Sequence, residues 1–145
     1  MSTQDHKALL SRVLDSFNKG EAAVIAVSDE LFVPNFVYHP VTGDVIRGLK
    51  DYKPFVKEFL SAFPDAHYTV EDMLFEGDKG AVRITITATH KGPLMGIPAT
   101  NKKMVVEMNE IYRMAGGKIV EVWDKMDTMG LMQQLGVIPA PGKQK

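Results

Sequence analysis

The 145-residue chain contains no cysteine. That absence removes disulfides, thiolate metal sites and thiol nucleophiles together, and it fits a cytoplasmic protein. Charge of one sign is also missing. The formal net charge is −1, and the lysines are scattered apart from Lys102-Lys103 and the tail. No global field or basic stripe therefore draws the chain to nucleic acid or to an anionic membrane. Ala22 to Val27, the longest candidate apolar run, is far too short to span a bilayer. Asp5, His6, Lys7 and Arg12 stand where a secretory signal needs an apolar core, so no signal is expected. The four histidines, His6, His39, His67 and His90, form no i, i+4 pair and no ligand cluster, so no metal is expected. There is no Ser-His-Asp order, phosphate-cradling glycine loop or dinucleotide fingerprint either.

What is present is a single ordinary domain. Hydrophobic residues make up 45% and charged residues 24% of the chain, the balance of a soluble globular protein. Residues 1–138 are expected to form that domain, and the Pro-, Gly- and Lys-rich segment from Pro139 to Lys145 a frayed tail.

Periodicity divides the domain in two. Ser2 or Thr3 can cap a helix over about Asp5 to Lys19, with Leu10, Val13, Leu14 and Phe17 on one face. A second helix runs from Glu21 to about Ser28, and a short strand covers Phe36 to His39. A third helix covers about Lys50 to Phe63, with Phe55, Val56, Phe59, Leu60 and Phe63 as its apolar stripe and Pro54 in its first turn. Thereafter the period is 2. Strands are expected over His67–Glu76, Ala81–His90, Met104–Met114 and Ile119–Asp127, the last two joined through Gly116-Gly117. Helices first and long hairpin-linked strands afterwards mean α+β. Such strands must twist and coil. The expected form is a curved antiparallel sheet, a cone whose concave side is covered by about three helices from the N-terminal half. That cone would hold a small molecule.

Chemistry concentrates in the last strand, which carries the single tryptophan, Trp123, and two carboxylates, Asp124 and Asp127. Strict alternation puts Val120, Val122, Asp124 and Met126 on one face and Ile119, Glu121, Trp123, Lys125 and Asp127 on the other. Apolarity would bury the first set. Glu110 lies at period 2 with Met108 and Tyr112, so it faces a pocket or a neighbouring partner. His90, beside a Gly/Pro loop, is either a donor at a pocket rim or a satisfied surface histidine. His39, after an aromatic strand, has the same two roles open. Apolar residues occupy both parities of the long strand, Val105 and Ile111 against Val106 and Met108. A sheet solvated on one side needs only one, so a homodimer through the outer face is expected.

An ordered set of segments carries a resemblance: Phe63-Pro64-Asp65, Gly77-Asp78, Thr89-His90-Lys91-Gly92, Gly96-Ile97-Pro98, Ile111-Tyr112-Arg113, Gly117 to Glu121, and Trp123 through Asp127 to Gln133-Gln134-Leu135-Gly136. The chain resembles the SnoaL-like polyketide cyclases (ester cyclases) of the nuclear transport factor two and ketosteroid isomerase superfamily. The resemblance implies an α+β cone with a deep pocket, commonly dimeric. It implies ring closure by intramolecular aldol condensation, without metal or organic cofactor, on a polyketide-like or other apolar carbonyl compound. It also implies an acid/base aspartate four residues after the tryptophan, at Asp127. With it the expected catalytic residues are Asp127 and His90, and the expected substrate-binding residues are His39, Phe59, Met108, Glu110 and Trp123. Ala99 and Asn101 depart from the family's frequent Pro-Thr-Gly turn. A binding module without turnover, or an isomerase or dehydratase using the same aspartate, would fit the same cone.

Overall fold

The structure, a computed structural model, describes residues 2–139. All but Pro139 of the expected tail thus lies outside the described residues. Ser2 opens the first helix, α1 (Thr3–Ser16), in a reciprocal capping box with Asp5. Helix α2 (Glu21–Leu31) leads directly into β1 (Phe32–His39). A two-residue strand β2 (Ile46–Arg47) precedes α3 (Leu49–Ala62). The long strands follow: β3 (His67–Glu76), β4 (Lys79–Thr89), β5 (Lys103–Ala115) and β6 (Lys118–Met126), then a short α4 (Thr128–Gln134). Pro54 is the sixth residue of α3 rather than in its first turn, and it is exposed. Pro54 has no N–H to donate to the Lys50 carbonyl, the acceptor for that position in a regular helix.

The six strands form one open sheet in the order β2-β1-β6-β5-β4-β3. The class is α+β, and the sheet is mixed. β1 runs parallel to β6, while the other neighbours are antiparallel. No hairpin links β1 to β6, so turn geometry does not dictate their relative direction. β1 begins four residues earlier than its expected start at Phe36. Pro34, which cannot donate to a ladder, sits exposed where the β1–β6 register shifts.

Alternation buries one face of the sheet. Val82, Ile84, Ile86 and Ala88 of β4 and Met104, Val106, Met108 and Tyr112 of β5 lie in the core, with Tyr52, Val56 and Leu60 of α3. Both glycines of the β5–β6 turn have positive φ, 59° at Gly116 and 79° at Gly117, as a tight hairpin of this hand requires. The register then slips: Arg113 opposes Glu121, but Met114 opposes Ile119. Val120 is the extra residue of that bulge. Ile119, Val122 and Asp124 are therefore all buried on the inner side, and simple alternation is broken at Val120.

Beyond β4, the backbone N–H groups of Lys91 and Gly92 donate to the Ala62 carbonyl at 2.8 and 3.2 Å. A Cβ on Gly92 would stand 2.4 Å from the Ser61 carbonyl oxygen, so glycine alone permits this approach. In the same loop Asn101 has φ 59°, a left-handed conformation that Asn tolerates in place of glycine. At the other end α4 docks on β5 where β6 has stopped pairing. The Gln134 side chain accepts from the Val105 N–H (2.7 Å) and donates to the Val105 carbonyl (2.9 Å), as a further strand would.

Candidate active site

Between α3 and the inner face of β1, β5 and β6 lies an aromatic cavity of about 70 Å³. Phe32 and Tyr38 come from β1, Tyr52, Phe55, Val56 and Phe59 from α3, and Phe17 and Tyr68 from the far side. Tyr38 packs edge-on against Tyr52 and Phe55 at centroid distances of 5.3 and 5.1 Å. Met108, Glu110 and Tyr112 of β5 and Val122, Asp124 and Met126 of β6 form the floor. A neighbouring chamber of about 80 Å³ shares Val41, Phe55, Phe59 and Met126 with it as a common wall. A larger groove between α1 and β3 is open to solvent, and Tyr68 is the one residue lining both it and the aromatic cavity.

Two carboxyls end inside the aromatic cavity. Glu110 and Asp124 are directly paired across β5 and β6, and they are only 6% and 5% exposed. The Tyr38 hydroxyl donates to Asp124 Oδ2, and the Tyr112 hydroxyl donates to Glu110 Oε1 at 2.8 Å. Asp124 Oδ1 is buried without a hydrogen-bond partner. Among the described residues no Lys, Arg or His lines the cavity. Burial, and then the Asp124 charge, hold the Glu110 carboxyl well above the usual carboxylate range. Burial also raises Asp124, against the neighbouring Glu110 and Tyr38, which lower it. Burial pushes the phenols of Tyr38, Tyr52, Tyr68 and Tyr112 up, so all four remain hydrogen-bond donors.

Of the residues expected at the site, Phe59, Met108 and Glu110 line this cavity. Trp123 does not, because the bulge at Val120 sends Asp124 inward and leaves Trp123 on the outer face. There its ring lies parallel to that of His39, 5.2 Å away. His39 Nε2 meets Glu121 Oε2 at 2.7 Å, and Arg113 holds the other Glu121 oxygen at 3.1 Å. Asp127 is exposed and caps α4, its Oδ1 accepting the Gly130 N–H at 2.9 Å. His90 is fully buried, its ring 5.5 Å from that of Phe63. Its Nδ1 accepts from the Thr100 N–H, and its Nε2 has no partner. His90 pins the 90–102 loop and lies outside the cavity lining. The tyrosines were not singled out as site residues, although Tyr112 shares Glu110's parity and Tyr38 shares that of buried Phe36. Among the described residues no cluster of three His, Cys, Asp or Glu could hold a metal, and no helix is long and apolar enough to cross a membrane.

A family model for SnoaL-like polyketide cyclases matches residues 7–135. The chain belongs to that family. The aklanonic acid methyl ester cyclase DnrD of Streptomyces peucetius is 28% identical over 140 residues, covering 94% of this chain and 92% of that protein. AclR of Streptomyces galilaeus, a candidate hydroxylase, superposes with a TM-score of 0.82 at 29% identity, over 95% of this chain and all of that one. A SnoaL-like protein from Jannaschia gives a TM-score of 0.87 over 96% and 98% of the two chains, and at 21% identity it shows the fold alone.

Proposed function

We propose that this SnoaL-like protein is a cofactor-independent cyclase, closing a ring by intramolecular aldol addition within an uncharged carbonyl compound, with Asp124 as the base. The observation that carries this is Asp124 itself. It is a buried carboxyl in an aromatic cavity, one oxygen held by Tyr38 and the other bare. A desolvated carboxylate with a raised pKa is a better base toward an activated methylene. The bare oxygen is the one free to take the proton. Asp127, four residues after Trp123, is exposed and engaged as a helix cap, which favours Asp124 over it. A cavity lined by two acids, with no cation among the described residues, disfavours a substrate that carries an ionised carboxylate. This agrees with the relatives, whose names specify a methyl ester. The fold also supports a homodimer through the outer face, where Val105 and Ile111 are 58% and 44% exposed.

Turnover of aklanonic acid methyl ester and simpler enolisable keto esters tests the assignment. Asp124→Asn should lower kcat by roughly 10²–10⁴, the usual worth of a positioned general base. Asp127→Asn should leave both rate and stability near wild type, because Asn caps a helix about as well as Asp. Loss of rate in the Asp127 variant alone would return the role to Asp127. Ligand binding with no turnover in wild type would make the protein a binding module.

A further inference from the structure

Glu110 has no assigned task once Asp124 is the base, yet the fold buries it opposite that base. Two ionised carboxyls paired across adjacent strands repel each other, and in an apolar cavity that repulsion is weakly screened. The titratable groups facing Glu110 are Asp124 of β6, Tyr112 of its own strand, Tyr68 of β3, Tyr52 of α3 and Tyr38 of β1. None of them can carry positive charge. With no cation among the described lining residues, neutralisation comes from a proton, and one proton between two carboxyls leaves a single charge. The Tyr38 hydroxyl donates to Asp124, and aspartic acid is intrinsically the stronger acid of the two. The charge therefore settles on Asp124 and the proton on Glu110.

We propose that Glu110 is the proton-carrying member of a one-proton dyad and delivers that proton to the oxyanion formed during ring closure. The proposal rests on Asp124 acting as base. Asp124 takes a proton from the activated methylene, and the C–H pair becomes the enolate. The enolate carbon attacks the ketone carbon, a C–C bond forms, and the ketone π pair moves to its oxygen. That alkoxide takes the proton from Glu110, leaving Glu110 ionised and Asp124 protonated. Transfer of the proton from Asp124 to Glu110 restores the starting state. The dyad holds one proton before and after, and product differs from substrate only in connectivity.

Infrared spectroscopy of the protein without substrate tests where the proton resides. Near neutral pH the C=O stretch of a buried carboxylic acid should be present in wild type and in Asp124→Asn, and absent in Glu110→Gln. A band missing from wild type, or one that persists in Glu110→Gln, overturns the proposal. Kinetics give an independent readout with aklanonic acid methyl ester. Glu110→Gln, which keeps shape and a donor, should lower kcat by about 10²-fold, the low end for a general acid. It should also abolish the alkaline limb of the kcat profile, which in wild type reports loss of the dyad proton. An alkaline limb unchanged in Glu110→Gln counts against Glu110 as the acid. Full turnover in Asp124→Asn would instead remove the base assignment, while the infrared result still decides which carboxyl is protonated.

Discussion

Replacing Glu110 by glutamine should stabilise the protein near neutral pH, by an amount that grows with pH. Burial and the Asp124 charge raise the native Glu110 pKa well above its ordinary value, whereas unfolding returns it to about 4.3. Between those two values the native state holds a proton that the unfolded state has released. Stability conferred by the neutral acid is complete below the unfolded pKa and is lost as pH rises through the native one. The slope is at most about 1.4 kcal/mol per pH unit for one group. Asp124 is shifted in the same direction and adds to the wild-type slope. Glutamine cannot titrate, yet its oxygen can still accept from the Tyr112 hydroxyl. For as long as the native acid stays protonated, the gap between the two proteins widens by up to that slope with each pH unit. At this chain length each such unit corresponds to a further Tm difference of about 3–5 °C. Urea denaturation of both proteins at a series of pH values from about 4 to 7 measures it directly. Parallel stability curves would refute the reasoning, because they would mean that Glu110 titrates alike in the native and unfolded chains.

Tyr38→Phe removes the hydroxyl that donates to Asp124, so the native Asp124 pKa should rise and the acidic limb of kcat should move to higher pH. A pH–rate profile checks this, and an unmoved limb would separate Tyr38 from the base. Phe59→Ala opens the wall between the two chambers of about 70 and 80 Å³. It should cost roughly 2–3 kcal/mol, less than a fully buried Phe→Ala, and shift relative kcat/KM toward bulkier esters. Competition assays across a size series read that shift. Sedimentation equilibrium at micromolar concentration should give a dimer mass for wild type and a monomer mass for Ile111→Lys, which places a charge on the outer face.

Much of the fold was legible because the hydrophobic period says which kind of element forms. The change from 3.6 to 2 after Phe63 separates helices from strands, and Gly116-Gly117 marks the hairpin. The parallel pairing of β1 with β6 left no such mark, since it joins segments far apart in sequence. Within the site, Phe59, Met108 and Glu110 follow from apolar periodicity and line the cavity. Alternation already puts Asp124 on the apolar face with Val122, and one bulged residue is what brings Ile119 inside as well. Val120 carries no glycine or proline to announce it, so alternation through Ile119 and Val122 could not be counted correctly. Asp127 did carry a local signal, because an Asp ahead of a short Leu/Met/Gln segment is a helix-cap pattern. The family resemblance, which implies an acid/base aspartate four residues after the tryptophan, outweighed it.

The bulge also explains why one short strand meets two different demands. Upstream of Val120, Ile119 must face inward to close the core at the turn, where it is fully buried. Downstream, Asp124 must face inward opposite Glu110, and Trp123 outward against His39. In an unbulged strand Ile119 and Asp124, five residues apart, would point to opposite faces. One added residue brings both inside. Its removal would put either Ile119 or the Asp124 carboxyl on the outer face, exchanging the cavity's acid for Trp123 or leaving the hairpin end uncovered. The position of the proposed base is thus set by backbone register as much as by the presence of an aspartate.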